Sequence, residues 1–184
     1  MTICIYGAAS ELIDKSFIEQ TERLGEMLAK HGHRLVYGAG GTGLMGASAR
    51  GFKAGNGEVI GVAPHFMHDI EPIYKGCTQL IETETMAERK EIMEDMADIF
   101  IITPGGIGTL DEFFQCITLR ELGRLDKDII FYNINDYYTK LIEYMEDCID
   151  KKFIRERVRE FYKVATTPEE VVDLLDGVLD GKTV

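Results

Sequence analysis

Short apolar runs alternate with amphipathic stretches along this chain, and two of the strand-to-helix turns are rich in glycine. Strand-type runs read at Thr2–Tyr6, Arg34–Tyr37, Val59–Ala63, Cys77–Ile81, Asp98–Thr103, Asp128–Tyr132 and Tyr162–Ala165. Helical patterns fill the gaps between them. Ile13, Phe17, Leu24, Met27 and Leu28 share one face, with Gly32 as the stop. A small-residue helix runs to about Ala54, and Thr85–Ala97 opens on a capping box from Thr85 to Glu88. A further helix ends at Leu122 before Gly123. Asp136–Asp150 carries the stripe Tyr138, Leu141, Ile142, Met145 and Ile149, and Thr167-Pro-Glu-Glu170 opens the last helix with proline at its first position. Pro64–Gly76 is the longest irregular stretch. Successive parallel strands need a crossover between them, so this alternation predicts a parallel sheet with helices on both faces. The expectation is a single α/β domain over residues 1–184, a Rossmann-like doubly wound parallel sheet. Ligands of such sheets lie beyond the carboxyl ends of the strands, where the glycine-rich turns fall.

Composition narrows the function classes. A chain of 184 residues can bury a sizeable core, and 45% hydrophobic with 28% charged residues is ordinary for a globular protein. No apolar run approaches the roughly 20 residues that span a bilayer, and MTICIYGAAS reads as a strand, not a basic leader. Cys4, Cys77, Cys116 and Cys148 form no CxxC pair and read as reduced, mostly buried thiols, so a cytoplasmic protein is expected. The net charge of −12 repels nucleic acid on average. A phosphate ester would need a local positive site, which a helix N-terminus can supply.

Two loops are candidates. Gly38-Ala-Gly40-Gly41-Thr42-Gly43 fits the dinucleotide pattern GxGxxG, but it follows the second strand, and Glu58 lies at the wrong end of its strand to hold a ribose. Its glycines would still let N–H groups approach an anion. In the second loop, Gly105, Gly106 and Gly108 remove three β-carbons at a helix start, and Thr109 can add a hydroxyl. Thr109-Leu-Asp-Glu112 also fits a capping box, with Thr109 as cap and Glu112 reaching back to it from the first turn. Both readings stand at this level. Arg89 falls on the stripe of Ile92, Met93 and Met96, so its charge faces the protein body and calls for a partner, of which Glu112 is one. Were strands 77–81 and 98–103 neighbours, the two side chains would meet in one pocket. His65, His68, Asp69 and Glu71 are ligand-type residues, but no HExxH helix sets their geometry, so no metal is expected.

The segments MAERK (86–90) and PGGIGTLDE (104–112), following YGAGGTGLMG (37–46), resemble the LOG family of cytokinin riboside 5′-monophosphate phosphoribohydrolases, long labelled possible lysine decarboxylases. The likeness extends through LGRLDKDIIFYNINDYY. It implies a homodimer that cleaves the N-glycosidic bond of a purine nucleoside 5′-monophosphate without a cofactor, with Arg89 and Glu112 catalytic. Gly40, Gly41, Thr42, Gly43, Met86, Lys90, Gly105, Gly106, Gly108 and Thr109 would bind phosphate or substrate. Two segments depart from the pattern: YGAAS stands where a Cys-Gly-Ser-Ser-type loop is usual, leaving Ser10 as its hydroxyl, and LRELG (119–123) lacks a tryptophan common there. The older label conflicts with the chemistry, because pyridoxal-type decarboxylation needs a dedicated lysine. A rival class is a nucleotide-like or molybdenum-cofactor carrier, which resembles this fold and binds without hydrolysis.

Overall fold

A computed structural model describes residues 1–181. Seven strands form one parallel sheet: β1 (Thr2–Tyr6), β2 (Arg34–Tyr37), β3 (Val59–Pro64), β4 (Gln79–Thr83), β5 (Ile99–Ile102), β6 (Asp128–Tyr132) and β7 (Tyr162–Ala165). Six helices connect or follow them: α1 (Lys15–Lys30), α2 (Gly43–Ala54), α3 (Met86–Met96), α4 (Ile107–Glu121), α5 (Thr139–Asp150) and α6 (Pro168–Gly181). The strand order is β4-β3-β2-β1-β5-β6-β7. The chain winds outward from β1 to β4, returns to place β5 beside β1, and winds outward again to β7. The doubly wound parallel sheet expected from the alternation is therefore the observed one.

Period-two alternation distributes the strand side chains between two cores. Ile3 and Ile5 of β1 pack with α1, α2 and α6 through Leu24, Leu28, Phe52 and Leu175. Cys4 and Tyr6 of the same strand pack with α3, α4 and α5 through Met93, Phe113, Ile117 and Met145. Phe100, Phe113 and Phe131 are fully buried. Burial of each such side chain contributes about 1.5–3 kcal/mol relative to exposure. No helix of the described residues is long and apolar enough to cross a membrane.

Several boundaries differ from those read in the sequence. The fourth strand begins at Gln79, not Cys77, because the Thr78 N–H and hydroxyl are spent on Val59 (2.7 and 3.1 Å) in the turn that precedes it. This strand lies at the sheet edge, where one-sided burial blurs the apolar pattern. A short 3-10 turn at Ile134–Asp136 replaces the start expected for α5, and another, His65–Asp69, lies within the irregular stretch. The Thr85 half of the capping box of α3 forms as read, its hydroxyl accepting from the Glu88 N–H at 3.1 Å, whereas the Glu88 carboxylate accepts from the N–H of Glu84, one residue before the cap, at 2.9 Å. The one at Thr109 does not form. Helix α4 starts at Ile107 with Gly106 as its cap, so Thr109 and Glu112 already lie inside the helix.

Candidate active site

The order of strands reverses between β1 and β5, and the carboxyl ends of these two strands diverge into a cleft of about 350 Å³. Gly7, Ala8, Ala9 and Ser10 line it after β1. Gly106, Gly108, Thr109, Asp111 and Glu112 line it from α4, Met86 and Arg89 from α3, Met45 from α2, and Glu71 from the segment after β3.

The two glycine loops have opposite hydrogen-bonding fates. At α2 most of the early N–H groups are already used: Leu44 and Met45 donate to the Ala8 carbonyl at 2.7 and 3.3 Å, and Gly41 just before the helix donates to the Pro72 carbonyl at 2.7 Å. The Thr42 hydroxyl donates to the Ala9 carbonyl at 2.8 Å. Gly43 has φ of +56° and packs so closely on Ala8 and Ala9 that a β-carbon would strike their backbone. Gly40, Gly41, Thr42 and Gly43 thus tie the β2 loop to its neighbours, and none of them lines the cleft. At α4 the N–H groups of Ile107, Gly108 and Thr109 donate to no protein acceptor among the described residues, and Gly106 caps without a side chain. Gly108 and Thr109 line the cleft, with the positive end of the helix dipole behind them. Gly105 lies just outside the cleft, its carbonyl accepting from the Tyr137 hydroxyl at 2.8 Å while the Thr109 side chain packs against its Cα.

Arg89 and Glu112 meet, although by a different route from the one expected. Their strands are not neighbours: β3, β2 and β1 stand between β4 and β5. Helix α3 must travel back across those strands to reach β5, and this crossing carries Arg89 over the ends of β3 and β2. Its Nε donates to the Val62 carbonyl at 3.1 Å. The guanidinium occupies the space above Gly38, where any β-carbon would collide with it. Its Nη1 lies 3.9 Å from Oε1 of Glu112, close enough for attraction but too far for a hydrogen bond. Both residues are buried. Burial pushes the Glu112 carboxyl up to about 7, against the opposing pull of Arg89, with Asp111 adding to the rise. Near neutrality Glu112 is therefore divided between its acid and carboxylate forms. Of the remaining expected residues, Met86 lines the cleft, whereas Lys90 is drawn to Asp111 at 2.9 Å.

The histidines separate from the acid next to them in sequence. His65 and His68 stand 3.4 and 3.0 Å from Glu82 on the edge strand β4, while Glu71 turns into the cleft. Sequence reading grouped Glu71 with those histidines as ligand-type residues and so missed it. Ala8 and Ala9 were missed as lining residues too; their only signal was their position at the end of β1, which becomes informative once β1 is known to flank the reversal point.

Residues 45–175 match the family described as "Possible lysine decarboxylase". A cytokinin riboside 5′-monophosphate phosphoribohydrolase of Arabidopsis thaliana is 32% identical over 174 residues, covering 95% of this chain and 81% of the relative. One from Mycobacterium tuberculosis is 36% identical over 153 residues, covering 83% and 81%. Among solved structures, a Moco carrier protein from Chlamydomonas reinhardtii superposes with a TM-score of 0.74 at 18% identity over 98% of each chain, a likeness of fold alone. The family match covers most of the chain, and relatives above 30% identity match it nearly end to end: the chain belongs to this family of possible lysine decarboxylases, the LOG family that its paired motifs resemble.

Proposed function

We propose that this chain is a hydrolase that cleaves the N-glycosidic bond of a purine nucleoside 5′-monophosphate, with adenine or an N6-substituted, cytokinin-type adenine as the base. The products are the free base and ribose 5-phosphate. The observation that carries this reading is a buried carboxyl, Glu112, held with Arg89 in the same cleft as an uncapped helix N-terminus. The relatives' names point the same way.

In this reading the 5′-phosphate rests on the N–H groups of Ile107, Gly108 and Thr109 and on the Thr109 hydroxyl. The sugar then lies beside Glu112. As the C1′–N9 bond breaks, positive charge builds on the ribose, and the carboxylate stabilises it. The C1′–N9 electron pair leaves with the base; water bonds to C1′ and passes a proton to Glu112, and one proton from solvent completes the released base, so that one water is consumed. Arg89 attracts the substrate's anionic groups and favours the carboxylate form of Glu112. Gly38, Gly40, Gly41, Thr42 and Gly43 contribute by holding Arg89 and the segment after β3 in place. The protein works without cofactor or metal, in the cytoplasm, as a homodimer. Lysine decarboxylation of the pyridoxal type fits the cleft poorly: no lysine lines it, and Lys90 is engaged by Asp111.

The test is incubation with AMP and isopentenyladenosine monophosphate, with GMP and CMP as controls, in the presence and absence of EDTA. Release of free adenine or its N6-substituted form, insensitive to EDTA, is the expected result. Tight binding of AMP without turnover would replace this reading with that of a carrier. Activity lost to EDTA and restored by zinc would overturn the mechanism.

A further inference from the structure

The glycine loop that precedes α4 is held from behind by two tyrosines. Successive carbonyls of this loop each accept a hydrogen bond: Thr103 from the Tyr138 hydroxyl at 2.8 Å, Pro104 from the Ala8 N–H at 3.0 Å, and Gly105 from the Tyr137 hydroxyl at 2.8 Å. The tyrosines follow a kink between β6 and α5, where Asn135 and Asp136 have φ of +52° and +58°, a left-handed conformation that these short polar residues tolerate. Tyr138 is buried, and its N–H donates to the Asn133 side chain at 2.6 Å. The Tyr137 ring packs edge-on against Phe17 of α1 and against Tyr138, with centroids 6.1 and 4.9 Å apart. An apolar cavity of about 170 Å³, bounded by Ile13, Phe17 and Tyr137, lies behind Gly105 and Gly106, so hydrogen bonds and not packed side chains set the orientation of their backbone.

The Gly105–Gly106 peptide joins two glycines, so its plane can turn over at little steric cost. In the observed orientation the Gly105 carbonyl faces Tyr137 and the cavity. The opposite edge of a trans peptide carries the N–H, so the Gly106 N–H points away from Tyr137, and it has no protein acceptor among the described residues. Gly106 lines the active-site cleft, whereas Gly105 does not. Turning the plane over would present a carbonyl oxygen to the cleft where the phosphate is expected, replacing a donor by lone pairs that repel an anion. We propose that Tyr137 is a positioning residue for the phosphate: its hydroxyl holds the Gly105 carbonyl outward, so that the Gly106 N–H joins those of Ile107, Gly108 and Thr109 in binding the anion; this rests on the phosphoribohydrolase reading above. Tyr137 itself touches no substrate. It acts by keeping the binding-competent loop populated, since apparent affinity falls with the competent fraction.

The experiment is a double-mutant cycle. Tyr137→Phe deletes the hydroxyl and keeps the ring. Gly106→Ala makes the reversed plane costly, because turning the peptide over takes Gly106 from φ of −93° to a positive φ that glycine adopts freely and alanine does not. A β-carbon at Gly106 meets nothing within 4 Å in the observed orientation. Wild type, both single variants and the double variant are assayed for kcat and KM on AMP, with melting temperatures measured alongside. In the Gly106 background, Tyr137→Phe should raise KM roughly 10-fold and leave kcat within about 2-fold, because bound phosphate selects the competent loop. In the Gly106→Ala background the same substitution should raise KM by less than about 3-fold, since the β-carbon now does what the hydroxyl did. A tyrosine that only supports the fold would lower the melting temperature or kcat in both backgrounds, with no rescue by alanine. If Tyr137→Phe leaves KM unchanged, or changes it by the same factor in both backgrounds, the proposal falls. If wild type releases no base from AMP, the hydrolase reading fails by itself. AMP is then not consumed, and the cycle is read from its dissociation constants: a loss on Tyr137→Phe that shrinks in the Gly106→Ala background supports the Tyr137 assignment, and equal factors or no loss overturn it. AMP that neither reacts nor binds to wild type overturns both.

Discussion

Glu112 concentrates the chemistry of this protein in one titration. Its carboxyl moves from an ordinary value of 4.5 to about 7, because burial costs the charged form more than Arg89, 3.9 Å away, returns. If the carboxylate is the working form, kcat/KM rises with pH through about 7 and then levels off. The same shift is a statement about stability. The folded state holds a proton that the unfolded state gives up at lower pH, so this stabilisation is complete below about 4.5 and is lost as pH climbs through about 7. Glutamine does not titrate. Between pH 4.5 and 8 the Glu112→Gln variant should therefore gain on wild type by about 3 kcal/mol, while its turnover falls roughly 10²-fold or more. Denaturant unfolding at the two pH values, beside base-release rates, measures both. Near-normal turnover with no pH-dependent gain would leave Glu112 a packing residue.

At the level of elements, α4 has been left without a cap where a cap would be easy to supply. Gly106 has φ of −93°, and a β-carbon there meets nothing within 4 Å, so a residue with a side chain can begin there without a clash at Cβ. Aspartate would cap the helix and stabilise it by about 0.5–2 kcal/mol. It would also place a negative charge where the substrate's phosphate is expected. Gly106→Asp should thus keep or raise the melting temperature while weakening KM for AMP about 10-fold or more, since it competes for the same donors. A variant that melts higher and binds AMP normally would mean that the phosphate lies elsewhere. This helix also marks a limit of the sequence. Its periodicity was readable, but Thr109-Leu-Asp-Glu112 imitates a helix start almost one turn too late, and local pattern alone could not separate a cap from residues already inside the first turns.

At the level of the whole molecule, the surface of α4 bears on assembly. Phe113 and Ile117 are consumed by the core, but Ile107, Phe114 and Leu122 remain 85%, 38% and 67% exposed. Apolar side chains repeated along one helix and left in water are a candidate contact for a second copy of the chain. A homodimer at micromolar concentration is expected, and Phe114→Glu should shift it toward monomer in sedimentation equilibrium. A monomeric wild type would remove the dimer from the proposal. The doubly wound sheet itself was legible from β–α alternation, since parallel strands joined by helices allow few other arrangements. Its strand order is the Rossmann type that the same reading suggests.

Apolar periodicity, the capping box at Thr85, the proline that opens α6, and the paired MAERK and PGGIGTLDE segments are local properties, and the sequence by itself determined the elements and the residues on which chemistry could fall. What it left open were facts that depend on distant partners. Two glycine loops looked equally able to hold a phosphate. In the fold the Gly41 N–H is spent on Pro72 and those of Leu44 and Met45 on Ala8, while the N–H groups of Ile107, Gly108 and Thr109 have no protein acceptor among the described residues. Arg89 and Glu112 would meet directly were their strands neighbours, but three strands separate theirs, and the crossover path of α3 brings them together. Glu71 read as one acid among histidines until the segment after β3 turned it into the cleft. A hydrogen bond already made, or a charge already buried, is settled by chain segments far apart in sequence, so only the tertiary structure could decide which of the candidate donors and carboxylates remain free for a ligand.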